Sequence, residues 1–354
     1  MKAFGFLSFG HYALPGQQGP DARATLHQAI ELARFADQIG VNGAYFRVHH
    51  FAPQGSSPIP LLAAIAATTK RIEVGTGVID MRYENPLYLA EEAASLDLIA
   101  DGRVALGISR GSPEPAEQGW KAFGYQAEAP NGADMARSKF ELLLAAVASG
   151  GVATSAPLDE QYPRMYKPGI ALPVFPQSPD LRRHIWWGSG TNKTAEQAAR
   201  DGVNLMSSTL VSEADGSSLG ELQAEQISHY CAAWKQAGHD WTPRVSVSRS
   251  IFPLVSDRDR QLFGLQATSS DEVGYLDGGN ATFGRTYAAE PDVLIEQLKA
   301  DPAIAAADTL MLTIPNTLGV EANLAVLRNF AEQVAPALGW VPSTEGPVEG
   351  YAIG

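Results

Sequence analysis

Two kinds of residue are scarce in this chain. It has one cysteine, Cys231, among 354 residues, which excludes an intrachain disulfide and any zinc cluster held by several cysteines. Positive charge is also limited, because 26 Lys and Arg oppose 39 Asp and Glu for a formal net charge of −13. Phosphate backbones are neutralised by clustered cations, so this balance argues against a nucleic-acid-binding surface.

Long hydrophobic runs are missing as well. No apolar stretch reaches the roughly 18 residues that a membrane helix needs, and Met1–Phe9 lacks the long apolar core of a signal peptide. The hydrophobic fraction of 45% and the charged fraction of 18% are ordinary for a globular chain, which excludes global disorder. We therefore expect a folded cytoplasmic protein that binds neither nucleic acid nor membrane.

Short apolar runs alternate with longer helical patterns along the chain. Strands are predicted over residues 3–9, 43–47, 72–79, 104–109, 185–188, 203–207, 245–255 and 309–314. Helices are predicted over residues 22–39, 60–68, 86–100, 134–148, 191–201, 219–237, 291–299 and 319–338. This α/β alternation favours a single (β/α)8 TIM barrel over residues 1–340, with a doubly wound open sheet as the alternative, since no linker divides the chain.

Two long irregular stretches interrupt the alternation, 151–183 after the fourth helix and 256–290 after the seventh strand. Loops of this length in a compact domain are usually functional. We predict that the second one is a lid, because it mixes glycines with large apolar residues, namely Phe263, Leu265, Tyr275, Phe283 and Tyr287. Residues 341–354 form a C-terminal tail rich in Gly and Pro, in which we expect Tyr351 and Ile353 to be packed.

In a parallel barrel the carboxyl ends of the strands meet at the face that carries the active site. The second predicted strand ends in His49 and His50. Adjacent residues of a strand point to opposite faces, so the two cannot chelate one metal together, and no metal is expected. Either histidine could be a structural residue, but one of them is a candidate acid–base group because imidazole titrates near neutrality.

The fifth predicted strand runs through Gly188, Ser189 and Gly190 directly into a helix that starts with Thr191. A helix N-terminus offers unpaired N–H groups and the positive end of a dipole, and small residues let a phosphate approach. Thr194 would add a hydroxyl, while Arg110 and Arg137 would add charge. The alternative is that Thr191 only caps the helix and Arg110 only forms a surface ion pair. The segment lacks the third glycine of a dinucleotide fingerprint.

Four segments, in this order, resemble the bacterial-luciferase-like flavin-dependent monooxygenases: FRVHHF at 46–51, VGTGV at 74–78, EEAASLDLIADGRVALGISR at 91–110 and GSGTNKTAEQAARDGVNLM at 188–206. The resemblance covers nearly all of the barrel and fades in the two insertions. It implies a barrel that binds FMN or the deazaflavin F420. It places the active-site histidine at His49 and a non-proline cis peptide at Gly77-Val78. It places the cofactor-binding groups at Arg110, Arg137, Gly188, Ser189, Gly190, Thr191 and Thr194.

The resemblance favours a two-component monooxygenase that takes reduced FMN from an NAD(P)H:flavin reductase and uses O2 to oxidise a small organic substrate. An F420-dependent hydride-transfer enzyme and a flavin-binding protein without turnover remain as alternatives. A barrel hydrolase would need a metal cluster or a carboxylate pair that the sequence does not present. Members of the family commonly have a carboxylate before the histidine, where this chain has Val48. We therefore expect no neighbouring acid to hold the His49 imidazole. A homodimer with a helical interface is also implied.

Overall fold

The computed structural model describes residues 1–276 and 278–347. Its centre is a ring of eight parallel strands, each paired with the next: β1 (Ala3–Ser8), β2 (Gly43–Phe46), β3 (Glu73–Thr76), β4 (Val104–Ser109), β5 (Ile185–Ser189), β6 (Asn204–Ser207), β7 (Val245–Pro253) and β8 (Thr309–Ile314). The ring closes because β8 pairs with β1 and β6 pairs with β7, with Leu205 opposite Val245. The closed (β/α)8 barrel predicted from the sequence is confirmed, and the open sheet is wrong.

Eight helices pack outside the strands: α1 (Ala22–Gln38), α2 (Pro58–Thr68), α3 (Pro86–Ile99), α4 (Ala133–Val147), α5 (Asn192–Asp201), α6 (Leu219–Ala237), α7 (Pro291–Lys299) and α8 (Val320–Gln333). Their ends follow local sequence signals. Asn85 accepts hydrogen bonds from the first-turn amides of α3, and Pro86 occupies the position where no amide is needed. Gly202 ends α5 in the left-handed conformation, at φ +65°.

Two predicted elements are interrupted in the structure. The predicted strand 72–79 divides into β3 and a two-residue strand, Ile79–Asp80, on either side of the Gly77-Val78 peptide bond. The predicted helix 319–338 ends at Gln333 and is followed by a 3-10 turn over Ala335–Leu338, because Pro336 cannot donate the hydrogen bond that would extend α8.

The two insertions lie where the sequence predicts them, but the second is far from irregular. It contains a helix (Asp257–Phe263), a 3-10 turn (Gly264–Thr268), an antiparallel hairpin (Glu272–Leu276 with Gly279–Phe283) and a strand (Thr286–Ala289) that extends β7 in parallel. A short helix, Pro302–Ala306, precedes β8. The first insertion contains only a small ribbon, Ala153–Thr154 with Ala171–Leu172, and a 3-10 turn over Leu181–His184.

The amino end of the barrel is closed by a buried polar network. Arg244 donates to Glu73 at 2.5 Å and to Thr309 at 3.1 Å, and the Tyr45 hydroxyl donates to the other Glu73 oxygen. Arg244 also lies over the Trp186 ring. A buried ion pair with further hydrogen bonds therefore fills this end of the barrel.

The start of the C-terminal tail folds back on the barrel. Ser343 donates its backbone N–H to Gly40, and Pro342 lies against the same glycine. The prediction that Tyr351 and Ile353 are packed lies outside the described residues. Within those residues, no helix is long and apolar enough to cross a membrane.

Candidate active site

A cavity of about 570 Å³ opens at the carboxyl ends of the strands, within the size range of small-molecule and cofactor sites. Nearly all of the residues singled out from the sequence line it: His49, Gly77, Val78, Arg110, Arg137, Gly188, Gly190, Thr191 and Thr194. Ser189 is buried beneath the lining and supports Thr194 from below. Residues from four strand ends and two helices therefore converge on one space.

The Gly77-Val78 peptide bond is cis, as the resemblance implied. It lies at the end of β3, and Val78 packs beside the apolar cluster that fills the barrel mouth, which includes Leu7 and Met311. A side chain at Gly188 would meet Val78 at 3.0 Å, so the glycine leaves room for the cis segment. The result is an apolar wall on one side of the cavity.

The α5 N-terminus forms a compact hydroxyl cluster on the other side. The Thr191 hydroxyl accepts from the Thr194 amide at 3.2 Å, and the Thr194 hydroxyl contacts those of Thr191 at 2.9 Å and Ser189 at 2.5 Å. Thr191 is therefore an N-cap, and its position also lines the cavity. The first-turn amides, the hydroxyls and Arg110 supply the donor set that a phosphate needs.

Arg137 lines the same cavity, but two carboxylates hold it. Its Nη1 and Nη2 atoms donate to Asp201 at 2.5 and 2.8 Å, and its Nε donates to Glu141 at 2.7 Å. The hydrogen bonds to Asp201 raise the pKa of Arg137 above its usual value. A bound phosphate would share this arginine with Asp201, so Arg137 offers less net charge than the sequence suggests.

His49 and His50 occupy different environments. His49 lines the cavity, whereas His50 is stacked on the Tyr83 ring at 4.2 Å, with an interplanar angle of 20°. Burial lowers the pKa of His50, which favours its neutral form. The His50 Nε2 atom and the Tyr83 hydroxyl have no hydrogen-bond partner among the described residues. His50 therefore lies behind the part of the cavity lining that contains His49 and supports it through Tyr83.

The expectation that no acid holds His49 is wrong. Glu114 lies 2.8 Å from the His49 Nδ1 atom through its Oε1, and its side chain is 3% exposed. The carboxylate comes from the loop after β4, 65 residues away in sequence, instead of from the preceding position. An acceptor at Nδ1 favours the tautomer with the proton on that nitrogen and leaves Nε2 as the other reactive atom.

A second carboxylate fixes the loop that carries Glu114. Asp80 binds Arg82 through hydrogen bonds of 2.6 to 3.1 Å, and Arg82 in turn donates to the Ser112 carbonyl at 2.6 Å. Burial raises the pKa of Asp80, against the hydrogen bonds from Arg82 that lower it. At Gly111, where φ is +90°, any side chain would collide with the Asp80 carboxylate. The position of the Asp80 carboxylate therefore explains why glycine follows Arg110.

Sequence reasoning missed four residues at this site: Arg47, Asp80, Arg82 and Glu114. The sequence contains only weak indications that these residues belong to the site. Asp80 follows a strand end and Glu114 lies four positions after Arg110, but charged residues in such positions are usually solvated. The pairing of Glu114 with His49 depends on how two loops fold together, which no local pattern encodes. Within residues 1–276 and 278–347, no group of three or more His, Cys, Asp and Glu is arranged to hold a metal.

The hairpin of the second insertion covers one end of the cavity. Its strand Gly279–Phe283 pairs with Leu210–Val211, and the next residue, Ser212, donates to Gly190 at 2.8 Å. Leu276, Gly279 and Asn280 line the cavity. Phe263 and Tyr287, which we predicted to be lid residues, are buried at the base, where Phe263 is stacked on Phe252 and Tyr287 donates to Asp301. The part of the second insertion that borders the cavity is therefore the hairpin.

Comparison with known proteins places the chain in a family. The model of the luciferase-like monooxygenase family matches residues 1–264, and the chain belongs to that family. A 109-residue segment is 38% identical to 4-hydroxyprotoasukamycin monooxygenase of Streptomyces nodosus subsp. asukaensis, and covers 30% of this chain and 29% of that one. An 87-residue segment is 37% identical to the oxygenase component of the flavin-dependent trigonelline monooxygenase of Acinetobacter baylyi, and covers 24% of each chain. The matches thus span less than a third of these relatives.

Solved structures share the fold over nearly the whole chain. The oxygenating constituent of 3,6-diketocamphane monooxygenase from Pseudomonas putida, a type II Baeyer-Villiger monooxygenase in complex with FMN, superposes with a TM-score of 0.66 at 19% identity, over 97% of this chain and all of the other. An F420-dependent secondary alcohol dehydrogenase superposes with a TM-score of 0.61 at 16% identity, over 96% of this chain and 99% of the other. At these identities the likeness concerns the fold.

Proposed function

We propose that this protein is the oxygenase of a two-component FMN monooxygenase, which receives reduced FMN from an NAD(P)H:flavin reductase and oxidises a small organic substrate with O2. The observation that carries the proposal is the convergence, on one cavity, of the hydroxyl cluster at the α5 N-terminus, the apolar wall at Val78 and the His49–Glu114 pair. When bound, reduced FMN would supply the reaction with O2, which no side chain can perform.

The residues present fit a flavin phosphate and ring. Arg110 and the first turn of α5 would hold the phosphate, and the wall formed by Val78 and Leu7 would face an apolar ring. His49, held at Nδ1 by Glu114, would donate or accept a proton at its Nε2 atom. The hairpin would exclude water from the cavity.

One feature favours FMN over F420. Beyond Thr194 the cavity continues along one face of α5 to Asp201, and Glu141 lies beside it on the shared Arg137. F420 extends past its phosphate into an acidic tail, which the net negative charge of the Asp201, Arg137 and Glu141 group would disfavour. FMN ends at the phosphate and avoids this region.

Titration with FMN and with F420, followed by oxygen uptake with reduced FMN, tests the proposal. We expect tight binding of FMN, weak binding of F420 and oxygen consumption that is coupled to product when a suitable substrate is present. Preference for F420 would favour the hydride-transfer alternative. FMN binding without any oxygen-dependent oxidation, across a screen of small aldehydes, ketones and acids, would leave a flavin-binding protein without turnover.

Replacing Arg110 with alanine is expected to weaken FMN binding by about tenfold to a hundredfold, because a charge-assisted hydrogen bond to a phosphate contributes about 1.5–3 kcal/mol. Fluorescence titration measures the effect. Riboflavin, which lacks the phosphate, serves as the control ligand and should bind the variant and the wild type alike. Arg200→Ala, which removes an exposed charge from α5, is the matched control variant. Equal weakening of FMN and riboflavin would mean that Arg110 acts on the ring or the fold.

Shortening the hairpin is expected to uncouple the reaction while FMN still binds. Replacing residues 273–282 with a short Gly-Ser link would remove Leu276, Gly279 and Asn280 from the cavity wall and admit water. Peroxide released per NADH consumed should then rise several-fold. A deletion of similar size in residues 157–168 of the first insertion, which do not line the cavity, is the control. Unchanged coupling in the shortened hairpin would contradict a role as lid.

A homodimer is proposed from the helical surface. Tyr88 near the start of α3 and Leu98 and Ile99 at its end are 67%, 49% and 53% exposed, and we infer that a second subunit covers them. Light scattering at micromolar concentration should give twice the chain mass of 37.7 kDa. Leu98→Glu should lower the measured mass toward the monomer, whereas Leu265→Glu, at an exposed site in the second insertion, should not. A monomeric wild type would contradict the proposal.

A further inference from the structure

The most unusual cation of the cavity is Arg47, which the proposed function does not use. It lines the cavity beside His49 and lies over the Phe9 ring, with its guanidinium carbon 4.8 Å from the ring centroid. No hydrogen bond or ion pair of its guanidinium occurs within residues 1–276 and 278–347. A planar group with five donors is thus presented to the cavity with its hydrogen-bonding capacity unused.

The carboxylate that acts on Arg47 is Glu114, which does not pair with it directly. Burial lowers the pKa of Arg47, and the attraction of Glu114 acts against that effect. Glu114 contacts His49 through Oε1, its Oε2 has no hydrogen-bond partner among the described residues, and neither oxygen lies within 4 Å of the guanidinium. His11, which is stacked beyond Phe9 at 5.7 Å, has a lowered pKa through burial and through the proximity of Arg47 and His49. In a chain of net charge −13, this wall of the cavity favours an anion.

The fold holds Arg47 in this position. The loop after β1 and the loop after β2 pack closely, since Tyr12 donates to Pro53 at 3.1 Å, and Gly10, at φ +64°, leaves space for Gly55. Phe9 packs against the apolar cluster of the barrel mouth that includes Leu7, Met206 and Met311. The guanidinium is therefore preorganised over an apolar space, on a different strand end from the phosphate-binding helix α5.

We propose that Arg47 binds a carboxylate of the substrate, so that the compound oxidised is a small organic acid with an apolar body. The inference rests on the proposed function, because it names the substrate class of the same site. The guanidinium fork matches a carboxylate bidentately. The apolar body would pack on Leu7, Met206 and Met311, and the acid group would fix which carbon faces the flavin.

Matched pairs of probes test this inference on the FMN-loaded protein. We would titrate 4-isopropylbenzoate and its neutral amide, 4-isopropylbenzamide, and follow the absorbance of the bound flavin. The wild type should bind the benzoate about tenfold to a hundredfold more tightly than the amide. Arg47→Met should abolish this preference and leave amide binding and FMN affinity within a few-fold. Arg200→Met, at an exposed site of α5, should retain the preference.

Two outcomes would overturn the inference: equal binding of benzoate and amide to the wild type, or equal loss of both in Arg47→Met. A large loss of FMN affinity in that variant would likewise overturn it, because Arg47 would then act on the flavin. If the wild type does not bind FMN, the proposed function fails instead, and calorimetry of the same two probes on the flavin-free protein reads the Arg47 site independently.

Discussion

His49→Ala is expected to lower substrate oxidation by about 10²–10⁴, the usual contribution of a general acid–base group. FMN affinity should stay within a few-fold, because the residues proposed to hold the phosphate and the ring are others in the cavity lining. Single-turnover measurements with reduced FMN and oxygen would separate the oxidation step from flavin binding. The prediction follows from the position of His49 in the cavity wall and from its hydrogen bond with a buried carboxylate.

His50→Ala is the matched control for this prediction. His50 is stacked on Tyr83 and does not line the cavity. Its loss should therefore lower the free energy of unfolding but change substrate turnover little. Turnover that survives in His49→Ala and is lost in His50→Ala would reverse the two roles. Turnover that survives in both variants would remove histidine from the mechanism.

Glu114→Gln is expected to lower turnover by about 10²-fold. The amide retains the size of the side chain but loses the charge, and a charge-assisted hydrogen bond contributes up to about 3 kcal/mol. A neutral partner would hold the imidazole less firmly and would stabilise a protonated His49 less well. The pH profile of turnover should shift along with the rate, whereas FMN affinity should remain close to that of the wild type.

Glu117→Gln is the control, because Glu117 is an exposed carboxylate in the same loop. A wild-type rate and pH profile in Glu114→Gln would mean that the carboxylate only secures the loop. Glu114→Asp further distinguishes an action on His49 from a role in securing the loop. Aspartate keeps the charge but has a shorter side chain, so this variant should recover part of the wild-type pH profile.

The sequence by itself determined the barrel, and its motifs selected several of the residues that line the cavity. Strand and helix signals are local: β-branched runs such as 72–79, the Asn85-Pro86 start and the glycine after Asp201 act within a few residues, and their alternation leaves few topologies. In a barrel, a position at a strand end is already a position at the active-site face. Arg110 and Thr191 could therefore be selected from the sequence, whereas the choice of His49 over His50 came from the family resemblance.

Only the tertiary structure decided which charges meet. Glu114 contacts His49 across 65 residues, Asp201 pairs with Arg137 across 64, and Arg47 lies over Phe9 with no hydrogen-bond partner for its guanidinium in the described part of the chain. The insertion at 256–290 likewise became a helix, a hairpin and a strand because its partners, Leu210–Val211 and the end of β7, lie elsewhere in the chain. Pairings of this kind depend on loop packing and on the free energy of burying charge. Loop packing and charge burial leave no periodic pattern in the sequence, whereas strands and helices do.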